Sequence, residues 1–340
     1  MEITLFQKVQ NNLLEKRRNL LDWLNQTPDT KKQIALGPEK ERGVEAQVEV
    51  LDNAITRAKD HTLGHCALCQ DYVEPNLLEM DYTSCVCLDH MSEQERRQLE
   101  SELEFIQVVQ RALLPQQIPA VQGLDMAVFS RPARIVSGDY FDFFQFKDGN
   151  NGLVVADAMG HGVSASLIMS SLQSALRMLV PENNSPVEVL KRVNRLFLHN
   201  INFTTFVTAF LCSFNPTERL ITYVNAGQNP PLVFHKQTNE ITWLQPTGAA
   251  IGLAESFDLN AGTLAVSEGD ILLFYMDGVT EATNRREEAF NRFRLASIVQ
   301  QNAGLSAQNL LGTVREALND FIAGQDLADD VTLLACKIEG

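Results

Sequence analysis

The chain is short of basic residues: 28 Lys and Arg stand against 43 Asp and Glu, a net charge of −15. Without a cationic excess to displace counterions from phosphates, general nucleic-acid binding is not expected. The first residues, Met1-Glu2-Ile3-Thr4, lack the basic and then apolar layout of a signal peptide. No apolar run approaches the ~20 residues that span a bilayer. Together these point to a cytoplasmic protein without a membrane segment. No internal repeat is visible. Cysteine is scarce and uneven: four of the six fall between Cys66 and Cys87, while Cys212 and Cys336 sit singly in apolar, strand-like runs and read as buried core thiols. What is present is ordinary for a globular protein: 45% of the residues are hydrophobic, and 340 residues suffice for two or three domains.

Residues 1–60 read as a helical hairpin. Leu5, Val9, Leu13, Leu20 and Leu24 line a first helix, and Val44, Val48, Leu51, Ile55 and Ala58 form a seam of four-three spacing on a second. Thr27-Pro28-Asp29-Thr30, with Gly37-Pro38 beyond, breaks the chain between them. Residues 61–91 hold the cysteine cluster. Residues 92–117 form a linker helix stopped by Pro115. Along it Leu99, Leu103, Ile106, Gln110 and Leu113 repeat a coiled-coil spacing, so a homodimer through residues 92–114 is expected; a helix packed on its own domain is the alternative.

Residues 118–340 differ in texture. Short β-rich runs cover 126–129, 140–146, 153–156, 206–214, 220–224, 232–234, 271–276 and 331–338. Tight connections such as Asn215-Pro216-Thr217-Glu218 favour antiparallel hairpins, and helices are expected near 162–180, 186–200, 287–301 and 306–323. Hairpin strands with segregated helices define an α+β class rather than a doubly wound parallel sheet.

Four acidic segments punctuate this region: Ser137-Gly138-Asp139-Tyr140-Phe141-Asp142, Asp157-Ala158-Met159-Gly160-His161-Gly162, Asp277-Gly278-Val279-Thr280-Glu281-Ala282 and Asp329-Asp330-Val331-Thr332. Each places an aspartate beside an apolar, strand-like run. Strand ends remote in sequence can converge in space, and oxygen-only clusters suit hard cations such as Mg²⁺ or Mn²⁺. A lone Asp-Gly or Asp-Ala-x-Gly would be an ordinary turn. Asp142, close after Asp139 and expected on the same face of that strand, is a candidate to support a ligand or hold a further ion, or else a solvated surface residue. His161 stands where a helix begins, and spacing the loop from the helix is its plain role.

In order and wording the four segments resemble the SpoIIE-type branch of the PPM (phosphoprotein phosphatase 2C) family, over residues 119–340. That resemblance implies an α-β-β-α sandwich of two antiparallel sheets flanked by helices. It also implies protein serine/threonine phosphatase activity with two Mn²⁺ or Mg²⁺ ions. Asp139, Asp157 and the Ala158 carbonyl would bind the first ion; Asp157, Asp277 and Asp329 would bind the second, with Asp330 the alternative to Asp329. Two such ions polarise phosphoryl oxygens and provide hydroxide at neutral pH. The chain departs from the family at Ala158, where glycine is usual, and at Gln228, where histidine is frequent. No arginine matches the phosphate clamp of eukaryotic members; Arg131 and Arg134 are candidates by proximity.

Cys66-x-x-Cys69, followed after seventeen residues by Cys87-x-x-His90, has the spacing of a structural Zn²⁺ site, with Cys85 as an alternative ligand and His61 and His65 as weaker ones. With the preceding helix, Thr62 to Cys69 resembles the DksA/TraR-type zinc finger. The turn Gly37-Pro38-Glu39-Lys40-Glu41-Arg42 lacks the acidic tip with which that family acts on RNA polymerase. The resemblances together imply a phosphorylated regulatory protein as substrate, specifically an anti-sigma-factor antagonist. An activator protein on the N-terminal module is the expected partner. A non-catalytic scaffold and an RNA-polymerase-binding effector are the alternatives.

Overall fold

The computed structural model describes residues 13–22, 25, 40–74, 77–78, 83–133, 135–160, 162–200, 206–254, 258–325 and 327–340. The chain divides into two compact units, Met1–Glu100 and Ser101–Gly340.

In the first unit, residues 13–22 are helical and α1 runs Lys40–Lys59. Leu13 packs into the buried row Leu51, Ala54, Ile55 and Ala58, one face of α1 at helical spacing. Arg17 caps this contact with a two-point ion pair to Asp52, one arm of it 3.2 Å long. Helix is present at residues 13–22 and 40–59, while Leu5, Val9, Leu24 and residues 26–39 lie outside the described residues. Ser92 and Glu95 start α2 (Glu93–Leu113) with a capping box: Glu95 N donates to Ser92 Oγ (3.3 Å) and Ser92 N to Glu95 Oε2 (2.9 Å).

The second unit takes in the rest of α2 and ten strands among the described residues. One sheet is β1 (Leu124–Arg131), β10 (Val331–Ile338), β9 (Ile271–Tyr275), β6 (Leu232–His235) and β7 (Glu240–Trp243), in that order. The other is β2 (Asp139–Gln145), β3 (Asn151–Ala158), β4 (Val207–Asn215), β5 (Leu220–Ala226) and β8 (Gly262–Ala265). All strand pairs are antiparallel.

Side-chain alternation builds the layers. Phe141, Val155, Phe210, Leu272, Phe274 and Leu334 point between the sheets. On the outer face of one sheet Val154, Ala156 and Leu211 meet α3 (Gly162–Leu179) and α4 (Pro186–Asn200). On the outer face of the other, Leu273, Leu333 and Ala335 meet α6 (Arg292–Gln301) and α7 (Ala307–Ile322). A one-turn α5 (Asp277–Thr280) follows β9. The α-β-β-α sandwich is the one the family resemblance implies, and its hairpin strands fit the α+β class read from the sequence. Strands β7 and β8 escape notice in the sequence because each has four residues and lies half exposed, so its period-two signal is faint.

One expectation is corrected here. Residues 162–182 are long and apolar enough, by composition, to cross a membrane. They instead bury Ala165, Met169, Leu172 and Leu176 in the helix-sheet core.

Candidate active site

Strand register places the first two aspartates together. Asp139 opens β2, Asp157 lies near the end of β3, and the two are direct cross-strand partners. Asp277 begins α5 where β9 ends, and Asp329 precedes β10, the strand paired with β9. The glycine of Asp277-Gly278 is required by this approach: a Cβ there would stand 2.0 Å from the Asp330 carbonyl oxygen.

The four carboxylates form one field of like charge. Burial, then Asp157, holds the Asp139 carboxyl well above its ordinary range. Burial, then Asp277 and Asp329, pushes Asp157 up to about 8. Asp277 rises from burial and the charge of Asp329. Their oxygens do not gather as tightly as the cysteine and histidine group described below, whose ligand atoms all lie within 4.8 Å of one another. The decisive detail is Asp139 Oδ2, which is buried and has no hydrogen-bond partner among the described residues. A buried carboxylate oxygen without a donor is costly unless a cation meets it. The oxygen donor set, the mutual repulsion and this orphaned atom all fit hard divalent cations.

Asp329 and Asp330 part company here. Asp330 is buried and both its oxygens are taken: Oδ1 accepts from Ala133 N (2.7 Å), and Oδ2 from Ser137 Oγ (2.7 Å) and Gly138 N (2.7 Å). It ties down the loop that leads into Asp139. Asp329 is exposed, and among the described residues its Oδ1 accepts only the Asp330 amide (2.8 Å). Doubled aspartates are the one signal in the sequence that a second role was present. Gln110 of α2 was missed as well: its Nε2 donates to Ser137 O (2.7 Å) while Ser137 N donates to its Oε1 (3.0 Å). Gln107 Nε2 adds a bond to Ile135 O (3.1 Å).

Gln110 therefore faces its own domain and does not lie in an outward seam. The exposed apolar stripe on α2 is Phe105, Val108, Val109 and Leu113, offset from the expected one. Asp142 is also corrected. Three residues after Asp139, it points to the opposite face of β2, where it is 1% exposed. There it takes Arg177 Nε (2.9 Å) and Nη2 (3.1 Å) and Tyr140 OH (2.8 Å), pinning α3 to the sheet and supporting no ligand. Gln228 is buried, accepting from Thr208 Oγ1 beneath Asp157. Arg131 ends β1 opposite Val331. Arg134 and His161 lie outside the described residues.

In the first unit Cys66, Cys69, Cys87 and His90 converge. Cys69 and Cys87 sulfurs are 3.7 Å apart, and His90 Nδ1 stands 3.2 Å from Cys87 Sγ and 3.9 Å from Cys66 Sγ. With Zn–S bonds of ~2.3 Å, the edge of a zinc tetrahedron is roughly 3.8 Å, and these separations match it. Amide N–H groups of Cys69, then Cys87, pull the Cys66 thiol down to about 6, the direction a thiolate ligand needs. Cys85 is exposed and outside the group.

Two antiparallel sheets with carboxylates gathered at their strand ends and helices on both faces make the PP2C-like fold. The SiaA-PP2C domain of Pseudomonas aeruginosa shares it, with a TM-score of 0.65 over 73% of this chain and 100% of that one at 19% identity. The RsbU and RsbW domains of Rv1364c from Mycobacterium tuberculosis match with a TM-score of 0.55 at 29% identity, over 67% of this chain and 63% of that one. The family model for Stage II sporulation protein E (SpoIIE) matches residues 147–339. Phosphoserine phosphatase RsbU of Bacillus subtilis (strain 168) is 30% identical over 246 residues, 71% of each chain. The chain belongs to the SpoIIE family, and it is a protein serine/threonine phosphatase. Phosphoserine phosphatase RsbP of the same organism is 29% identical over 54% of this chain and 46% of its own length.

Proposed function

We propose that this phosphatase hydrolyses phosphoserine or phosphothreonine on a cytoplasmic regulatory protein, an anti-sigma-factor antagonist, using two Mn²⁺ or Mg²⁺ ions held by Asp139, Asp157, the Ala158 carbonyl, Asp277 and Asp329. The observation that carries the metal reading is the buried, unpartnered Asp139 Oδ2 among like charges. When bound, such ions supply Lewis acidity and a hydroxide nucleophile at neutral pH. The chain's own residues do the positioning. Asp330 and Gln110 hold residues 137–138, which set Asp139 opposite Asp157. The Ala158 amide donates to Gly138 O (3.2 Å), keeping the Ala158 peptide beside the same loop.

The test is hydrolysis of p-nitrophenyl phosphate and of a phosphoserine protein by wild type and Asp157→Asn, titrated with Mn²⁺ and Mg²⁺. Turnover that needs metal and vanishes in the variant is the expected result; metal-independent turnover would refute the assignment.

We further infer that the N-terminal module is the input. It comprises the helical hairpin (1–60), a DksA/TraR-like finger (61–91) holding one structural Zn²⁺, and the linker helix (92–117), joined to the phosphatase domain (118–340). An activator protein binds this module, and the chain dimerises through residues 92–114 on the Phe105, Val108, Val109 and Leu113 stripe. The hydrogen bonds of Gln107 and Gln110 to the loop before Asp139 support this, because a turn or shift of α2 would be felt at a ligand. Deleting residues 1–91 is expected to change phosphatase kinetics, and unchanged kinetics would end this reading.

A further inference from the structure

The sandwich has a second end. Strand β2 carries Asp139 at its start, and six residues later, about 20 Å away at strand rise, it ends at the β2–β3 hairpin. Between the sheets at that end lies a cavity of about 260 Å³. Its walls are apolar from both sheets: Phe143 and Phe214 from one, Leu272 and Phe274 from the other. For comparison, an engineered apolar cavity of ~150 Å³ stays dry and takes up benzene.

The rim is different in kind. Asn151 and the exposed Gln145 line the mouth, and the Asn151 side-chain amide takes no hydrogen bond among the described residues. A hydrocarbon-lined pocket with one open amide at its edge is the layout of a small-molecule site. Two thiols, Cys212 and Cys336, face it from opposite sheets. Burial pushes Cys212 up to about 12 and Cys336 upward as well, so both are neutral and behave as small apolar groups. Neither is set to attack an electrophile, which leaves reversible binding. Among the described residues no charged side chain lines the cavity, so an ionised ligand would be left without a counter-charge.

We propose that this inter-sheet cavity binds a small, uncharged, mostly hydrocarbon molecule whose single hydrogen-bonding group meets Asn151 at the rim. Pro119 and Val121, from the segment that joins α2 to β1, form part of its wall, so occupancy bears on the path of that connector. The inference stands apart from the phosphatase reading, because it uses neither the aspartates nor the metals.

The probe is 1-octanol, a hydrocarbon chain with one hydroxyl, applied to the full-length chain and followed by thermal unfolding and titration calorimetry. Saturation is expected to raise Tm by about 5 °C or more. Cys336→Met and Cys212→Met place extra atoms in the space from opposite sheets. Each is expected to be at least as stable as wild type without the probe and to lose the octanol response. An octanol response equal in wild type and both variants, or absent in wild type, would overturn the site. Destabilisation of both variants would do the same, since it would mean there is no room to fill.

Discussion

Gln110 and Ser137 exchange two hydrogen bonds, side-chain amide to backbone peptide, 2.7 Å and 3.0 Å long. Ser137 in turn donates its hydroxyl to Asp330 and accepts the Asp139 amide (3.0 Å). A side chain on α2 is therefore hydrogen-bonded to the residue two positions before a proposed metal ligand. Two net hydrogen bonds are worth about 1–3 kcal/mol. Gln110→Ala is expected to weaken Mn²⁺ activation about 5- to 100-fold, measured as activity against Mn²⁺ concentration, and to lower Tm by several degrees. An unchanged Mn²⁺ curve would show that α2 does not position the loop.

Neighbouring aspartates should fail in different ways. Asp330→Asn removes the charge from a carboxylate that accepts three hydrogen bonds and leaves one donor facing a donor. It is expected to cost about 2–4 kcal/mol of stability, read as a fall in Tm. Asp329→Asn, at an exposed side chain, is expected to keep Tm and lose metal-dependent turnover. The reverse pattern would exchange their roles.

Metal-free stability should fall as pH rises. Asp157 ionises near 4 in the unfolded chain and at about 8 when folded. An acid raised by folding stabilises the fold below its unfolded value, and that contribution is lost as pH climbs through the folded value. Asp139 and Asp277 are shifted in the same direction. Protein dialysed free of Mn²⁺ and Mg²⁺ is expected to lose Tm from about pH 5 to about pH 8. Added Mn²⁺ should restore Tm at the upper end, and Asp157→Asn should flatten the slope. A Tm that climbs over this range would contradict the clustered, buried carboxylates.

Zinc content should separate four cysteines into three and one. Cys66→Ser, Cys69→Ser and Cys87→Ser are expected to abolish the bound zinc, because each removes one corner of the close-set group. Cys85→Ser is expected to retain it. Zinc bound by wild type and lost on Cys85→Ser would move the site to the alternative ligand, and His90→Ala would then keep its metal.

Much of the phosphatase unit was legible because its signals are local. Eight of the strands follow short apolar, β-rich runs, and the helices after Gly162, Pro186 and Ser306 follow the expected spans closely. The helix expected from 287 begins at Arg292 instead, capped by Asn291, whose side chain accepts from Phe293 N and Arg294 N. Asp139 and Asp157 could be named as a pair from motif alone, although only the β2–β3 register makes them neighbours. The α2 seam was misjudged because helical spacing states which residues share a face and not what that face meets. Leu103, Ile106 and Gln110 do share one, and Gln110 turns to the loop at 135–138.

By itself the sequence determined the α+β class, the order of the acidic segments and the spacing of the cysteine pairs. Each depends on side-chain periodicity or on residues a few positions apart. Tertiary structure alone decided that Asp330 accepts three hydrogen bonds while Asp329 stays exposed, that Asp142 serves Arg177, that Gln110 holds the loop before Asp139, and that a cavity opens between Cys212 and Cys336. Burial and hydrogen-bond partners come from chain segments up to two hundred residues apart, and no local pattern records which of them will meet.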